Sequence, residues 1–212
     1  MCETSAKSEF DRLARRLVHA GSLVVVTHER PDGDALGSAA ALVRAARAAG
    51  KKADFVLPEC VPGTYAFLFA DEAPLPGEQF DELADGADAI VVVDTCAFDQ
   101  LATLAEGLRK RRKQTLVIDH HITRDAVGAV EWIDTTAAAV GVMVLELLED
   151  LAWPIDGRIV EALATAIVSD TGWLRFSNTD ARCLRAMARL VERGLRSDCL
   201  LYTSDAADEL DG

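Results

Sequence analysis

Short, almost solidly apolar runs alternate with longer segments of helical spacing, and this alternation constrains the fold more than any other feature of the chain. Residues 22–27, 53–57, 89–93, 115–118 and 130–133 carry such runs, Ala89-Ile90-Val91-Val92-Val93 being typical. Their length and β-branched content predict strands, and apolar residues at consecutive positions suit a parallel sheet buried on both faces. Between them, Phe10, Leu13, Ala14, Leu17 and Val18 fall at helical spacing over 7–20. Leu36, Ala39, Ala40, Val43 and Ala46 do the same over 35–49, with Gly50 where a helix stop belongs. A short helix is expected around 65–69, a Pro- and Gly-rich loop at Pro74, Pro76 and Gly77, and helices over 98–112, 137–151, 156–169 and 179–193, the last capped by Asn178 or Thr179. The expected fold class is α/β: a parallel sheet of about five strands with helices on both faces, followed by C-terminal helices.

With 212 residues, half of them hydrophobic and 27% charged, the chain is long enough to bury a core without disulfides or metal, and its composition excludes disorder, collagen and coiled coil as the main class. The longest apolar stretch, 137–148, contains Glu146 and is too short to span a bilayer, and Met1-Cys2-Glu3-Thr4-Ser5 has no apolar signal core. Cysteines at 2, 60, 96, 183 and 199 show no paired spacing and read as reduced thiols, so a cytoplasmic location without a membrane partner is expected. The net charge of −13 argues against an electrostatic grip on duplex nucleic acid. An anionic substrate would need a local source of positive charge.

Open parallel sheets bind ligands at the carboxyl ends of their strands. There the first strand runs into Thr27-His28-Glu29-Arg30-Pro31-Asp32-Gly33-Asp34, the third into Asp94-Thr95, and the fourth into Asp119-His120-His121. Ser169-Asp170-Thr171-Gly172, at the end of a helix, is a further candidate for that edge. Crowded carboxylates repel unless a cation holds them. Aspartates and imidazoles without cysteine suit Mn²⁺ or Mg²⁺, with Zn²⁺, Co²⁺ or Fe²⁺ as alternatives. The groups outnumber the needs of one ion, and two ions ~3.5–4 Å apart sharing a carboxylate would use them all while supplying the missing positive charge. Taken singly, Asp94 reads equally well as a turn former, and Pro31-Asp32-Gly33-Asp34 better as a turn with a helix cap. His120-His121 has no obvious packing purpose. His19 reads as structural, Arg109–Lys113 as a solvated helix terminus, and Trp132, Trp153 and Trp173 as packing residues.

In this order the motifs resemble those of the DHH phosphoesterase superfamily: His28-x-x-x-Asp32-x-Asp34, then Asp94, then Asp119-His120-His121, then Asp170. The first motif, with Phe176-Ser177-Asn178-Thr179, is most similar to the bacterial bifunctional oligoribonuclease and 3′-phosphoadenosine 5′-phosphate phosphatase type. The resemblance implies a hydrolase of phosphate esters, acting on short RNA oligonucleotides or 3′-phosphoadenosine 5′-phosphate with two Mn²⁺ (Mg²⁺ or Co²⁺ as substitutes). It assigns His28, Asp32 and Asp94 to one ion, and Asp34, Asp94, His120 and Asp170 to the other, with Asp94 bridging. Asp119 would orient a histidine and His121 would face the scissile phosphate as hydrogen-bond or proton donor. Arg175 and Asn178 read either as helix-entry residues or, with Ser177, as substrate contacts. The partner expected is a nucleotide or short oligonucleotide; a homodimer is allowed. A manganese-dependent inorganic pyrophosphatase, or a non-catalytic metal- or nucleotide-binding module, are the competing readings.

Residues 1–196 are expected to form the catalytic domain, and 197–212 an unstructured or foreign tail. Proteins of this type continue into a second, substrate-gripping domain, of which no counterpart is expected after Arg196.

Overall fold

The computed structural model describes residues 2–196; the tail expected at 197–212 lies outside the described residues. Six parallel strands form one sheet in the order β3-β2-β1-β4-β5-β6. They are β1 (Ser22–Val26), β2 (Lys52–Leu57), β3 (Leu75–Pro76), β4 (Ala89–Val93), β5 (Thr115–Asp119) and β6 (Val130–Ile133). The extra strand, β3, falls in the expected Pro- and Gly-rich loop. Two residues pairing Val56 and Leu57 suffice for it, and proline is tolerated because this is an edge. The strand order reverses between β1 and β4, which pair directly from Leu23↔Ala89 to Val26↔Val92. A crevice therefore opens at their carboxyl ends.

Alternate side chains of each central strand enter two separate cores. Leu23, Val25, Val91, Val93, Leu116 and Ile118 pack under α1 (Cys2–His19), α2 (Gly33–Ala48), α5 (Val140–Asp150), α6 (Gly157–Asp170) and α7 (Ala181–Glu192). Val24, Val26, Ile90, Val92 and Val117 pack under α3 (Phe80–Gly86) and α4 (Ala105–Lys110). Among the described residues no helix is long and apolar enough to cross a membrane.

Three expectations change. The helix placed over 98–112 is broken into short 3₁₀ turns around α4, because Ala102 adopts a left-handed φ of 45°. Its apolar spacing is still used, since Leu101, Leu104 and Leu108 are buried. Arg111, in the run read as solvated, is only 13% exposed and pairs with Asp81 and Asp85 of α3, a helix the sequence reading left out. The cap of α7 is Asp180, whose carboxylate accepts the Cys183 N–H at 2.8 Å, leaving Asn178 for other bonds.

Helix α2 lies tightly on α6, and the contact positions the site. A Cβ on Gly37 would overlap the carbonyl oxygen of Ala162 and sit 2.9 Å from the nitrogen of Ala166. Only glycine lets the two backbones approach this closely. The approach brings the amino end of α2, with Asp34, to the carboxyl end of α6, with Asp170.

Candidate metal centre

Four segments converge on the crevice. His28 follows β1, where the buried Thr27 hydroxyl donates to Val93 O at 2.8 Å and ties the strand end to β4. Asp32 caps α2, its Oδ1 accepting the N–H groups of Asp34 and Ala35. The bland reading of Asp32 as a cap is therefore correct, yet its carboxylate also groups with His28 and Asp94. Asp94 follows β4 with φ 61°, a left-handed turn in which aspartate is among the better-tolerated residues, and donates its N–H to Ile118 O. Asp119, the last residue of β5, is fully buried, and Asp170 ends α6.

The two oxygens of Asp94 face different histidines. Oδ2 lies 3.6 Å from Nε2 of His28, and Oδ1 lies 3.7 Å from Nε2 of His120. His120 turns Nδ1 to the carbonyl of Ala137 at 3.0 Å, which leaves Nε2 pointing at Asp94 and, at 3.3 Å, at Asp170. Ligand atoms of His28, Asp32 and Asp94 fall within 4.8 Å of one another, as do those of Asp34, His120 and Asp170, and those of Asp94, His120 and His121. The first two groups are drawn from the residues the resemblance assigns to the two ions, Asp94 falling only with the first of them, and the third adds His121, which it assigns to no ion.

The electrostatics of the metal-free cluster are unfavourable to its own charge. Burial, with the charges of Asp94 and Asp170, pushes the Asp34 carboxyl well above the ordinary carboxylate range. Burial, with Asp32 and Asp170, does the same to Asp94, and Asp170 is raised chiefly by burial. His28 is lowered, burial outweighing the pull of Asp32. The buried Oδ1 of Asp94 and Oδ2 of Asp119 have no hydrogen-bond partner. A buried, unpartnered oxygen on Asp94, set among mutually repelling carboxylates and imidazole nitrogens, fits divalent cations.

The model of the DHH family, N-terminal domain, matches residues 22–167. The chain belongs to the DHH family. A relative from Thermus thermophilus named bifunctional oligoribonuclease and PAP phosphatase is 32% identical over 177 residues, covering 83% of this chain and 51% of the relative. One of the same name from Bacillus subtilis is 26% identical over 183 residues, covering 85% and 56%. This DHH chain thus spans about half the length of the curated relatives it matches. A solved exopolyphosphatase-related protein of Bacteroides fragilis shares the fold with a TM-score of 0.86 at 20% identity, over 93% of this chain and 60% of that one.

Within the DHH triplet, Asp119 Oδ1 accepts from Nδ1 of His121 at 2.8 Å and from the backbone N–H of His120 at 2.8 Å. The His121–Asp119 bond, helped by Asp119's charge, pushes the His121 imidazole up to about 9 and so favours its protonated form. The side chain is 53% exposed, the most open of the cluster's histidines. His19 lies away from the site, exposed on α1. Of the segment expected at the substrate, Arg175 and Ser177 are exposed and make no hydrogen bond to a ligand side chain; Arg175 Nε donates to Gly172 O. Asn178 uses its amide nitrogen on two backbone carbonyls, Ala138 O at 3.1 Å and Asp170 O at 3.0 Å.

Sequence reasoning missed one part of the site entirely. The backbone N–H groups of Val140 and Gly141 donate to Asp34 at 2.6 and 2.8 Å, and Ala137 supplies the carbonyl that orients His120. These are main-chain groups in a run of small residues, Ala137-Ala138-Ala139-Val140-Gly141, which carries no side-chain signal of chemistry.

Proposed function

We propose that residues 1–196 are the catalytic unit of a cytoplasmic, divalent-metal-dependent phosphoesterase that hydrolyses nucleotide phosphate esters, with short RNA oligonucleotides and 3′-phosphoadenosine 5′-phosphate as substrates and two Mn²⁺ as its ions. The observation that carries this reading is the carboxylate of Asp94, buried at the sheet's switch point with one oxygen toward His28 and the other toward His120. The names of the two bacterial relatives support the substrate class. The free thiols of Cys60, Cys96 and Cys183 suit a reducing compartment.

His28, Asp32 and Asp94 would hold one ion, and Asp34, Asp94, His120 and Asp170 the other. When bound, the pair supplies Lewis-acid activation of water and charge neutralisation at the phosphoryl group. The chain's own residues do the rest. Ala137 O accepts from His120 Nδ1–H and so keeps Nε2 free as a ligand. Asp119 holds His121 protonated and fixes its ring, so that the exposed edge carries a proton. That proton can stabilise charge on a phosphoryl oxygen or pass to the leaving oxygen. Grip on an extended substrate is assigned to the half of the relatives' length that this chain does not span.

The test is release of phosphate or mononucleotide from a short RNA oligomer, 3′-phosphoadenosine 5′-phosphate and pyrophosphate, with Mn²⁺ and with a chelator. Metal-dependent release from either nucleotide substrate is the expected result. Release from pyrophosphate alone would replace the proposal with a pyrophosphatase. No release by folded, metal-loaded protein would make it a binding module.

A further inference from the structure

The segment 137–141 contributes no ligand, yet it is tied to each of three candidate ligands brought by other elements. Its Ala137 carbonyl meets Nδ1 of His120. Its Val140 and Gly141 amides meet both carboxylate oxygens of Asp34. Its Ala138 carbonyl accepts from Asn178, whose other amide hydrogen goes to the backbone carbonyl of Asp170. Asp34, His120 and Asp170 together form one of the candidate ion positions. Among the described residues the segment makes no hydrogen bond to His28 or Asp32, which with Asp94 form the other position.

The one-sidedness has a physical basis. Ala139 stands at the amino cap of α5 but has no polar side chain to accept the N–H groups of Val140 and Gly141, and its carbonyl takes up only the Val142 N–H. Asp34 of α2 does so from across the interface. The same carboxylate that would take an ion thus ends α5, and its two oxygens are held in a fixed plane. Asp170 lies at the other extreme, on the last turn of α6, where main-chain carbonyls lack helical partners. Asn178 takes up one of them and links it to the segment.

We propose that residues 137–141, with Asn178 as the positioning residue, set the geometry and affinity of the Asp34–His120–Asp170 position independently of the His28–Asp32–Asp94 position. The inference rests on the two-ion reading above. Loss of an outer hydrogen-bond partner of a metal ligand weakens metal binding by about 10–100-fold. Such a loss should therefore fall on one ion alone.

The experiment is Mn²⁺ titration of the metal-free chain, followed by calorimetry and by the electron paramagnetic resonance signal of free Mn²⁺. Two variants reach the segment from opposite sides. Asn178→Ala removes the tie to Asp170 from an exposed position. Val140→Pro removes one N–H bonded to Asp34; proline is favoured at the first position of a helix, and Ala139 before it is already extended (φ −161°, ψ 153°). Wild type should bind two ions. Each variant should keep one at wild-type affinity and lose about 10-fold or more in the other, while His28→Ala should lose the ion they keep. Both ions weakened alike in either variant, or neither weakened in both, would overturn the inference alone. Wild type binding fewer than two ions would overturn the two-ion reading and this inference with it.

Discussion

Asp94→Asn bears directly on the bridging arrangement, because it changes charge and almost nothing else. The two side chains have nearly the same shape, and φ 61° at this position suits asparagine at least as well as aspartate. In the metal-free protein the carboxylate is buried and repelled by Asp32, Asp170 and Asp119. Removing its charge should leave the melting temperature unchanged or raise it. With metal the sign reverses. An ion at a hundred times its dissociation constant stabilises the fold by about 2.7 kcal/mol, which at this chain length is roughly 5–11 °C in Tm. Losing a ligand should weaken binding by at least the about 100-fold that loss of an outer partner can cost. The same metal concentration then sits near the dissociation constant and contributes about 0.4 kcal/mol, or roughly 1–2 °C. Thermal denaturation across a Mn²⁺ series, with and without chelator, reads both effects, and phosphate release should be lost in parallel. A metal-induced shift in the variant as large as in wild type, or a metal-free Tm several degrees lower, would refute the bridging role.

The pH dependence of the metal-free protein separates the same charges. Asp34, Asp94 and Asp170 are raised, so the folded state holds their protons more tightly than the unfolded chain does, and stability is lost as pH rises through the folded values. The Tm difference between Asp94→Asn and wild type in chelator should therefore widen in the variant's favour from pH 5 to 8, and a constant difference would contradict this. For His121, stability from the Asp119 pair is fully present below about 6.5 and lost as pH rises through about 9. Its imidazole resonances in the metal-free protein should titrate near that value and move toward 6.5 in Asp119→Asn; a wild-type midpoint near 6.5 would remove the pair from the mechanism. Gly37→Ala should cost about 1–3 kcal/mol by forcing α2 from α6, roughly 2–12 °C in Tm. An unchanged Tm would show that the two helices are less closely packed.

The parallel sheet was legible because buried parallel strands need apolar residues at every position, as Ala89–Val93 has. The convergence of His28, Asp32, Asp94 and His120 was legible because each follows a strand by a few residues, and strand ends of such a sheet share an edge. The broken helix around Ala102 was not, since its apolar spacing satisfies a 3₁₀ path into the core as well as an α-helical one. Nor was strand β3, which two residues and an open edge are enough to make. Asn178 was misread as a cap because several polar residues precede that helix and any of them could end it, whereas Asp180 does.

The sequence alone thus determined which side chains could hold metal and the order in which they arrive, because ligand chemistry is carried by residue type. It did not determine that β1 and β4 are neighbours, which puts His28 and Asp94 3.6 Å apart, or that Gly37 lets α2 close on α6 and bring Asp34 to Asp170. Least of all did it mark Ala137, Val140 and Gly141. They act through carbonyl and amide groups that every residue but proline possesses, so only the tertiary structure decides which of those groups meet a ligand.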